Sequence, residues 1–264
     1  MPSTGVGGNE TVEKSEESAV DVSLYKAAIL DMDGVITKSA QVHRAAWKAM
    51  FDAFLESRSS GTGDTFRPFS DDDYYLYVDG KPRYEGAQAF LESRGIQLPW
   101  GTPADAPDAE TVCGLGNRKN EYFRRHLQQH GVEAYPSTVE FVSTFKRSGK
   151  PVAAVSASRN AKDILGAAHV YDLFDVVVDG MDSARLGLKG KPEPDIFLEA
   201  ARQLGVDPAR AILVEDAIAG VEAGRAGRFG LVVGIDRSGH GAELRTHGAD
   251  IVVTDMSELE YEYS

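Results

Sequence analysis

The chain has 264 residues, 42% of them apolar, which is enough to bury one large hydrophobic core or two smaller ones. Its 41 acidic and 28 basic side chains give a formal charge of −13, which argues against a nucleic-acid-binding surface and against docking on anionic lipid. No apolar run approaches the roughly 18 residues of a membrane span, and no secretory signal is visible. The single cysteine, Cys113, excludes an internal disulfide. We expect a cytoplasmic monomer without nucleic-acid or membrane partners.

The chain is predicted to begin with a disordered acidic tail, residues 1–24, and to continue into an α/β domain. After the tail, short apolar runs recur that are mostly unbroken rather than alternating, a pattern typical of strands buried on both faces of a parallel sheet. Helical stretches separate these runs, so we predict a doubly wound parallel sheet formed by residues 25–40 and 133–264. The runs are 25–31, 152–156, 176–179, 211–215, 231–235 and 251–253.

Residues 41–132 interrupt the alternation of strands and helices. Helices are predicted at 41–57, 85–93 and 109–129, and no buried strand is apparent among them. The segment Ser59-Ser60-Gly61-Thr62-Gly63 has the composition of a loop. We therefore predict a mostly helical domain inserted after the first strand of the sheet.

Carboxylates follow two of the predicted strands. Asp31 and Asp33 can project to the same side, because a strand has a period of two, and Gly34 allows a sharp exit of the chain. Glu215 and Asp216 end another strand. Acids at the ends of two parallel strands can share one hard cation such as Mg²⁺. For Asp-x-Asp alone, solvated acids that cap the following helix explain the pattern equally well.

Two further strand ends carry groups suited to a phosphate. Ser156 begins the segment Ser-Ala-Ser-Arg-Asn, which offers hydroxyl groups, backbone donors and a cation near a predicted helix start. Lys191 precedes another predicted helix and can meet a phosphate as a point charge. Helix capping and an exposed loop lysine explain each feature alone, but they do not explain why all of these groups follow strand ends in this order.

These four segments, Asp31-x-Asp33-Gly34-Val35, Ser156, Lys191 and Glu215-Asp216, resemble the motifs of the haloacid dehalogenase superfamily of phosphotransferases over residues 25–254. The resemblance implies that Asp31 is the nucleophile and forms an aspartyl phosphate, while Asp33 is the general acid and base. It implies that Mg²⁺ is bound by Asp31, Asp33, Asp216 and the nearby Glu215. It also implies that Ser156, Ala157 and Lys191 bind the transferring phosphoryl group.

The inserted domain is similar to the helical cap of the β-phosphoglucomutase-like subfamily. That similarity implies interconversion of β-glucose 1-phosphate and glucose 6-phosphate, with His43 coupling substrate binding to acid–base readiness and Arg83 binding the distal phosphate. The other residues matched to the sugar-phosphate site are Trp47, Gly80, Lys119, Ser158, Arg159 and Asn160. For the cap residues, ordinary surface charges and helix packing remain the alternative interpretation.

Two other functions fit the same motifs. A sugar-phosphate phosphatase would use the same core residues but let water attack the aspartyl phosphate. A non-catalytic protein that binds phosphate ligands would be expected to lack the nucleophile or a metal ligand, and here none is missing. The departures from the mutase pattern, such as the longer cap segment 56–80 and Arg159 in place of a lysine, bear on which sugar is used.

Overall fold

The computed structural model describes residues 20–21, 24–62, 67–237, 239–259 and 261–262. Its centre is a six-stranded parallel sheet with the spatial order β4-β3-β2-β5-β6-β7. The chain therefore moves outward from β2 in one direction and then returns to the other side of β2. The strands are β2 (Ala27–Asp31), β3 (Val152–Val155), β4 (Val176–Val178), β5 (Ala211–Glu215), β6 (Leu231–Ile235) and β7 (Ile251–Val253).

Helices cover both faces of this sheet, so the predicted doubly wound α/β fold is confirmed. In β2, Ala28 and Leu30 belong to the hydrophobic cluster on one face, whereas Ala27 and Ile29 belong to the cluster on the other. Burial on both faces is the physical reason for the unbroken apolar runs. The covering helices are α5 (Pro136–Arg147), α6 (Ala161–Ala167), α8 (Asp195–Leu204), α9 (Ile218–Ala226) and α10 (Gly241–Thr246). The short helix α7 (Gly180–Leu186) follows β4 and has no buried residue.

Four helices lie between β2 and β3 in the chain and have a hydrophobic cluster of their own. Phe51 is at its centre, with its ring 5.1 Å from that of Phe69 and 4.1 Å from that of Phe90. Phe123 instead joins a cluster of the sheet. We refer to these helices as the cap: α1 (Ser39–Thr62), α2 (Asp71–Tyr77), α3 (Arg83–Ser93) and α4 (Val112–His130).

Several segments differ from the prediction. The loop predicted at 59–63 is wrong over its first part, because α1 continues to Thr62. Ser59 and Ser60 donate their hydroxyl groups to the carbonyl of Glu56, so these polar side chains are satisfied within the helix. Helices α2 and α7 were not predicted, and both begin at a capping box, around Ser70 and Asp179 respectively.

The first and the last described segments pair in a small second sheet. Strand β1 (Val20–Asp21), which falls within the predicted tail, pairs in parallel with β8 (Tyr261–Glu262). The rest of the predicted disorder lies largely outside the described residues. Within the described ranges, no helix is both long enough and apolar enough to cross a membrane.

Candidate active site

The carboxyl ends of β2 and β5 bring the predicted nucleophile and the second acidic pair together. These strands are neighbours on either side of the point where the chain reverses direction across the sheet, which is where open α/β sheets bind ligands. Lys191 Nζ lies 2.5 Å from Asp31 Oδ1 and also donates to Glu215 Oε1. All three side chains are buried. Burial raises the pKa of Asp31, against the opposing effect of Lys191.

Asp33 sits beside Asp31 in a network of donors. It accepts hydrogen bonds from the hydroxyl groups of Ser39 and Ser156, and its Oδ1 lies 3.3 Å from Nε2 of His43. Burial alone would raise its pKa, but His43 and these hydroxyl groups lower the pKa of Asp33 to about 2. Asp33 is therefore a carboxylate at neutral pH, the form that accepts a proton.

Asp216 completes an acidic cluster that fits a divalent cation. Carboxylate oxygens of Asp31, Glu215 and Asp216 all lie within 4.8 Å of one another. Burial, with further contributions from Asp79 and Glu215, raises the pKa of Asp216 well above its usual range. A hard cation with oxygen ligands would stabilise these buried carboxylates in their ionised form, and Mg²⁺ prefers such donors.

Gly34 makes room for this cluster. Its φ of +88° is in the left-handed region, and a Cβ at this position would collide with the carboxylate of Asp216. Glycine is therefore required here both by the turn after β2 and by the position of Asp216.

The cap contributes a titratable group to the site through His43, which stacks on Phe123 with ring centroids 4.0 Å apart. Lys119 Nζ lies 2.5 Å from Nδ1 of His43 and 5.0 Å from the ring of Trp47. Burial, reinforced by the neighbouring lysine, lowers the pKa of His43, and burial lowers that of Lys119 well below its usual range. The arrangement links the cap lysine to Asp33 through one imidazole ring.

The predicted distal phosphate site spans the boundary between the cap and the sheet domain. Arg83 of α3 donates to Asn120 of α4 over 2.8 Å, and Asn160 donates to the same side-chain oxygen over 2.8 Å. Burial and the nearby Arg159 both lower the pKa of Arg83. Two guanidinium groups held near one another in a partly buried place suit an anion.

One cavity of about 360 Å³ connects these groups. The predicted site residues line it, except for three that lie behind its wall. Ser156 supports Asp33 and holds the backbone of Ser158, Glu215 supports Lys191, and Asn160 is bonded to Asn120. The residues that line it are Asp31, Asp33, His43, Trp47, Gly80, Arg83, Lys119, Ala157, Ser158, Arg159, Lys191 and Asp216.

The cap closes against the sheet domain through close backbone contacts. A Cβ on Gly80 would lie 3.2 Å from that of Ala217, and a Cβ on Gly190 would lie 2.5 Å from Pro82 Cγ. Gly80 and Pro82 belong to the cap side, whereas Gly190 and Ala217 belong to the sheet domain. The cavity is thus covered by the cap.

Three further residues belong to this site and were not predicted. Ser39 donates to Asp33, while Tyr74 and Asp79 line the cavity from the cap. Burial raises the pKa of Asp79 to about 6, and Tyr74 is hydrogen-bonded to it. The signal for Asp79 is its place directly before the Gly80-Lys81-Pro82-Arg83 segment, but a single acid there is indistinguishable from a surface residue.

The fold and the site together define a phosphoryl-transfer enzyme with a buried carboxylate at the end of the first strand of its central sheet. The model of the haloacid dehalogenase-like hydrolase family matches residues 25–228, and the chain belongs to this family. The predicted resemblance is thereby confirmed.

Several curated proteins are similar over nearly their whole length. A β-phosphoglucomutase of Mycobacterium bovis is 46% identical over 238 residues, which cover 89% of this chain and 91% of that protein. A β-phosphoglucomutase of Bacillus subtilis is 34% identical over 239 residues, covering 90% and 92% of the two chains. Among solved structures, a β-phosphoglucomutase from Clostridium difficile covers 89% of this chain and 93% of its own, with a TM-score of 0.70 and 24% identity, and so shares the fold.

Proposed function

We propose that this chain is a β-phosphoglucomutase, which interconverts β-glucose 1-phosphate and glucose 6-phosphate through an aspartyl phosphate. The observation that carries the proposal is a covered cavity with cationic side chains at both ends. Asp31 and Lys191 lie at one end, and Arg83 and Arg159 lie at the other. A mutase has to hold a phosphate that does not react while it transfers the one that does. The similarity to two curated β-phosphoglucomutases supports the same activity.

In the proposed reaction, Asp31 first carries a phosphoryl group taken from a sugar bisphosphate. The 6-hydroxyl group of β-glucose 1-phosphate attacks the aspartyl phosphate and gives its proton to the Asp33 carboxylate, which produces β-glucose 1,6-bisphosphate and free Asp31. The bisphosphate turns within the cavity, and the Asp31 carboxylate attacks the phosphorus on C1 and displaces the C1 oxygen, which takes the proton from Asp33. Glucose 6-phosphate leaves, and phosphorylated Asp31 is regenerated at the end of the cycle. Lys191 and the backbone of Ala157 bind the phosphoryl group throughout, whereas the Ser156 hydroxyl group lies behind the cavity wall and donates to Asp33.

The residues proposed to hold Mg²⁺ are Asp31, Asp216 and the main-chain carbonyl of Asp33, with Glu215 close by. When bound, the cation neutralises the charge that builds up between the carboxylates and the phosphoryl oxygens. The protein's own cations, Lys191 at the reacting end and Arg83 at the distal end, orient the phosphates and carry no proton in the reaction.

His43 is proposed to make Asp33 responsive to the substrate. With Lys119 as the donor to Nδ1, the neutral imidazole carries its proton on Nε2, which faces Asp33. A phosphate or hydroxyl group that contacts Lys119 would change this chain of contacts and so adjust the proton affinity of Asp33.

The test supplies purified protein with Mg²⁺ and β-glucose 1-phosphate, with and without a trace of β-glucose 1,6-bisphosphate. We expect glucose 6-phosphate to form and the bisphosphate to stimulate its formation. Release of inorganic phosphate without isomerisation would instead identify a sugar-phosphate phosphatase. Folded protein without turnover of any phosphate ester would identify a binding protein.

We also propose that the protein acts as a cytoplasmic monomer on a small phosphorylated sugar and binds neither nucleic acid nor membranes. The formal charge of −13 supports this, because nucleic acid and anionic lipid both require a basic face. Sedimentation of the purified chain tests the oligomeric state, and a dimer mass would contradict it.

A further inference from the structure

The hydrogen-bonding groups of the cavity are unevenly distributed between its two walls. On the cap wall, Arg83, Lys119 and the indole of Trp47 can donate hydrogen bonds but cannot accept them. A sugar hydroxyl group is both a donor and an acceptor. A polyhydroxylated substrate enclosed by this cap therefore needs an acceptor on the cap wall, since an enclosed donor without a partner is costly.

Most carboxylates on the opposite, sheet-domain side are already engaged, and Asp216, which lines the cavity there, is proposed to hold the cation. Asp31 accepts from the backbone of Asp33 and from Lys191, and Asp33 accepts from two serine hydroxyl groups. Glu215 accepts from Lys191 and from the backbone of Ala217. These oxygens are also the ones proposed for the nucleophile, the proton transfer and the cation.

Two cap carboxylates line the cavity, Asp79 and Glu85. Glu85 is exposed and its charged neighbour is Lys81, whereas Asp79 is partly buried beside charged groups of the reacting end. Those groups are Lys191, Asp33, Glu215 and Asp216. Asp79 is bonded to the hydroxyl group of Tyr74, which also lines the cavity, and one hydrogen bond leaves a carboxylate with further acceptor capacity. Asp79 is therefore the cap carboxylate placed to meet this need.

We propose that Asp79, held in place by Tyr74, accepts a hydrogen bond from the ring hydroxyl group next to the reacting position and thereby selects the sugar. This inference rests on the proposed mutase function. When the C1 oxygen faces Asp31, this is the hydroxyl group on C2; when the C6 oxygen faces Asp31, it is the hydroxyl group on C4, which is the nearest one because C5 carries the ring oxygen. Asp79 is thus a specificity-determining residue, and Tyr74 is a positioning residue.

The experiment measures kcat/KM for β-glucose 1-phosphate and for its 2-deoxy, 3-deoxy and 4-deoxy analogues. A hydrogen bond to a charged group corresponds to a factor of about 10 to 100. We expect the wild-type protein to lose this factor on the 2-deoxy or 4-deoxy analogue and to lose less on the 3-deoxy one. In Asp79→Ala, kcat/KM for the parent sugar should fall by the same factor. In that variant, kcat/KM for the 2-deoxy and 4-deoxy analogues should be no lower than for the parent sugar.

Matched variants separate sugar recognition from other roles. Tyr74→Phe should show a smaller loss in the same direction, and Asp72→Asn, an exposed acid of the same helix, should match the wild type. Hydrolysis of acetyl phosphate needs no sugar, so in Asp79→Asn and Asp79→Ala it should fall by a smaller factor than kcat/KM for the parent sugar. An equal loss on acetyl phosphate, or an altered Mg²⁺ requirement, would place Asp79 at the aspartate centre and overturn the inference.

The same design keeps the two proposals apart. If the wild-type protein releases phosphate without isomerisation, the mutase proposal fails, and the comparison is made on glucose 6-phosphate and its 4-deoxy analogue. If removing the 4-hydroxyl group lowers kcat/KM in the wild type but not in Asp79→Ala, this result would support the inference on its own. Equal discrimination by the wild type and Asp79→Ala on every analogue pair would reject it.

Discussion

The cavity has one wall formed by the sheet domain, here called the core wall, and one formed by the cap, the cap wall. The two walls hold their charged groups in different ways. On the core wall, Asp31, Asp33 and Glu215 accept hydrogen bonds from neighbours fixed at strand ends, so the reacting groups are oriented before any substrate arrives. On the cap wall, burial lowers the pKa values of Arg83 and Lys119, and both cations would be stabilised by an anion. The core wall is preorganised for the chemistry, whereas the cap wall is completed by the substrate.

Replacing the nucleophile removes the reacting group of the core wall and should have the largest effect. Asp31→Asn keeps the shape of the side chain but removes its nucleophilic oxygen, so turnover should fall at least about a thousandfold. Isomerase assays and thermal unfolding are measured together. Asp172→Asn, an exposed acid of the sheet domain, is the matched control. Retained turnover in a folded Asp31→Asn protein would remove Asp31 from its proposed role.

Removing a cap cation should distinguish the role of the cap wall from that of the core wall. Arg83→Ala deletes the proposed contact to the distal phosphate, so isomerisation should fall about a hundredfold while hydrolysis of acetyl phosphate stays nearly constant. Arg124→Ala, an exposed arginine of α4, is the control and should leave both activities unchanged. Equal losses in the two assays would show that Arg83 does not bind the distal phosphate.

A side chain between the walls should hinder their closure. In Gly190→Ala, the new Cβ would lie 2.5 Å from Pro82 Cγ and 2.8 Å from Glu85 Oε2, so the cap has to shift. Water then gains access to the aspartyl phosphate, and the ratio of phosphate release to isomerisation should rise about tenfold. Gly166→Ala is the control, because a Cβ on Gly166 would have no neighbouring atom within 4 Å. An unchanged ratio in Gly190→Ala would show that closure tolerates the methyl group.

The smallest expected effect concerns the stability of the cap itself. Asp73 caps α2 through Ser70 and lies 2.5 Å from Nη2 of Arg94. Asp73→Asn should lower the free energy of unfolding by about 2 kcal/mol, as measured by denaturant titration. Asp72→Asn is the exposed control. A similar change in the free energy of unfolding of both variants would mean that the buried contacts of Asp73 do not stabilise the protein.

The pH dependence of the same pair gives a second measurement. Although burial alone would raise it, hydrogen bonds from Ser70 and the contact with Arg94 lower the pKa of Asp73. A depressed folded-state pKa adds stability above the unfolded value of about 4, and this stability is lost as the pH falls through the folded-state pKa. Asp73→Asn should therefore flatten the loss of stability in acid below about pH 4.

The two walls also differ in how far the sequence predicts them. The strands β2, β3 and β5 are predicted because burial on both faces leaves an unbroken apolar run, and the strand ends then locate Asp31, Ser156 and Glu215. Asp79 and Tyr74 were missed because only the packing of the cap against the sheet domain brings them to the cavity. The end of α1 was missed because Ser59 and Ser60 are typical of loops unless their hydroxyl groups bond within the helix.

The side-chain oxygen of Asn120 accepts from Arg83 of the cap and from Asn160 of the sheet domain, and this double contact has a consequence for substrate entry. A phosphate that reaches the distal end competes for the same two donors. Its arrival exchanges one acceptor for another, so the number of hydrogen bonds across the boundary stays nearly constant. The cap can therefore be held against the sheet domain in both the empty and the loaded protein.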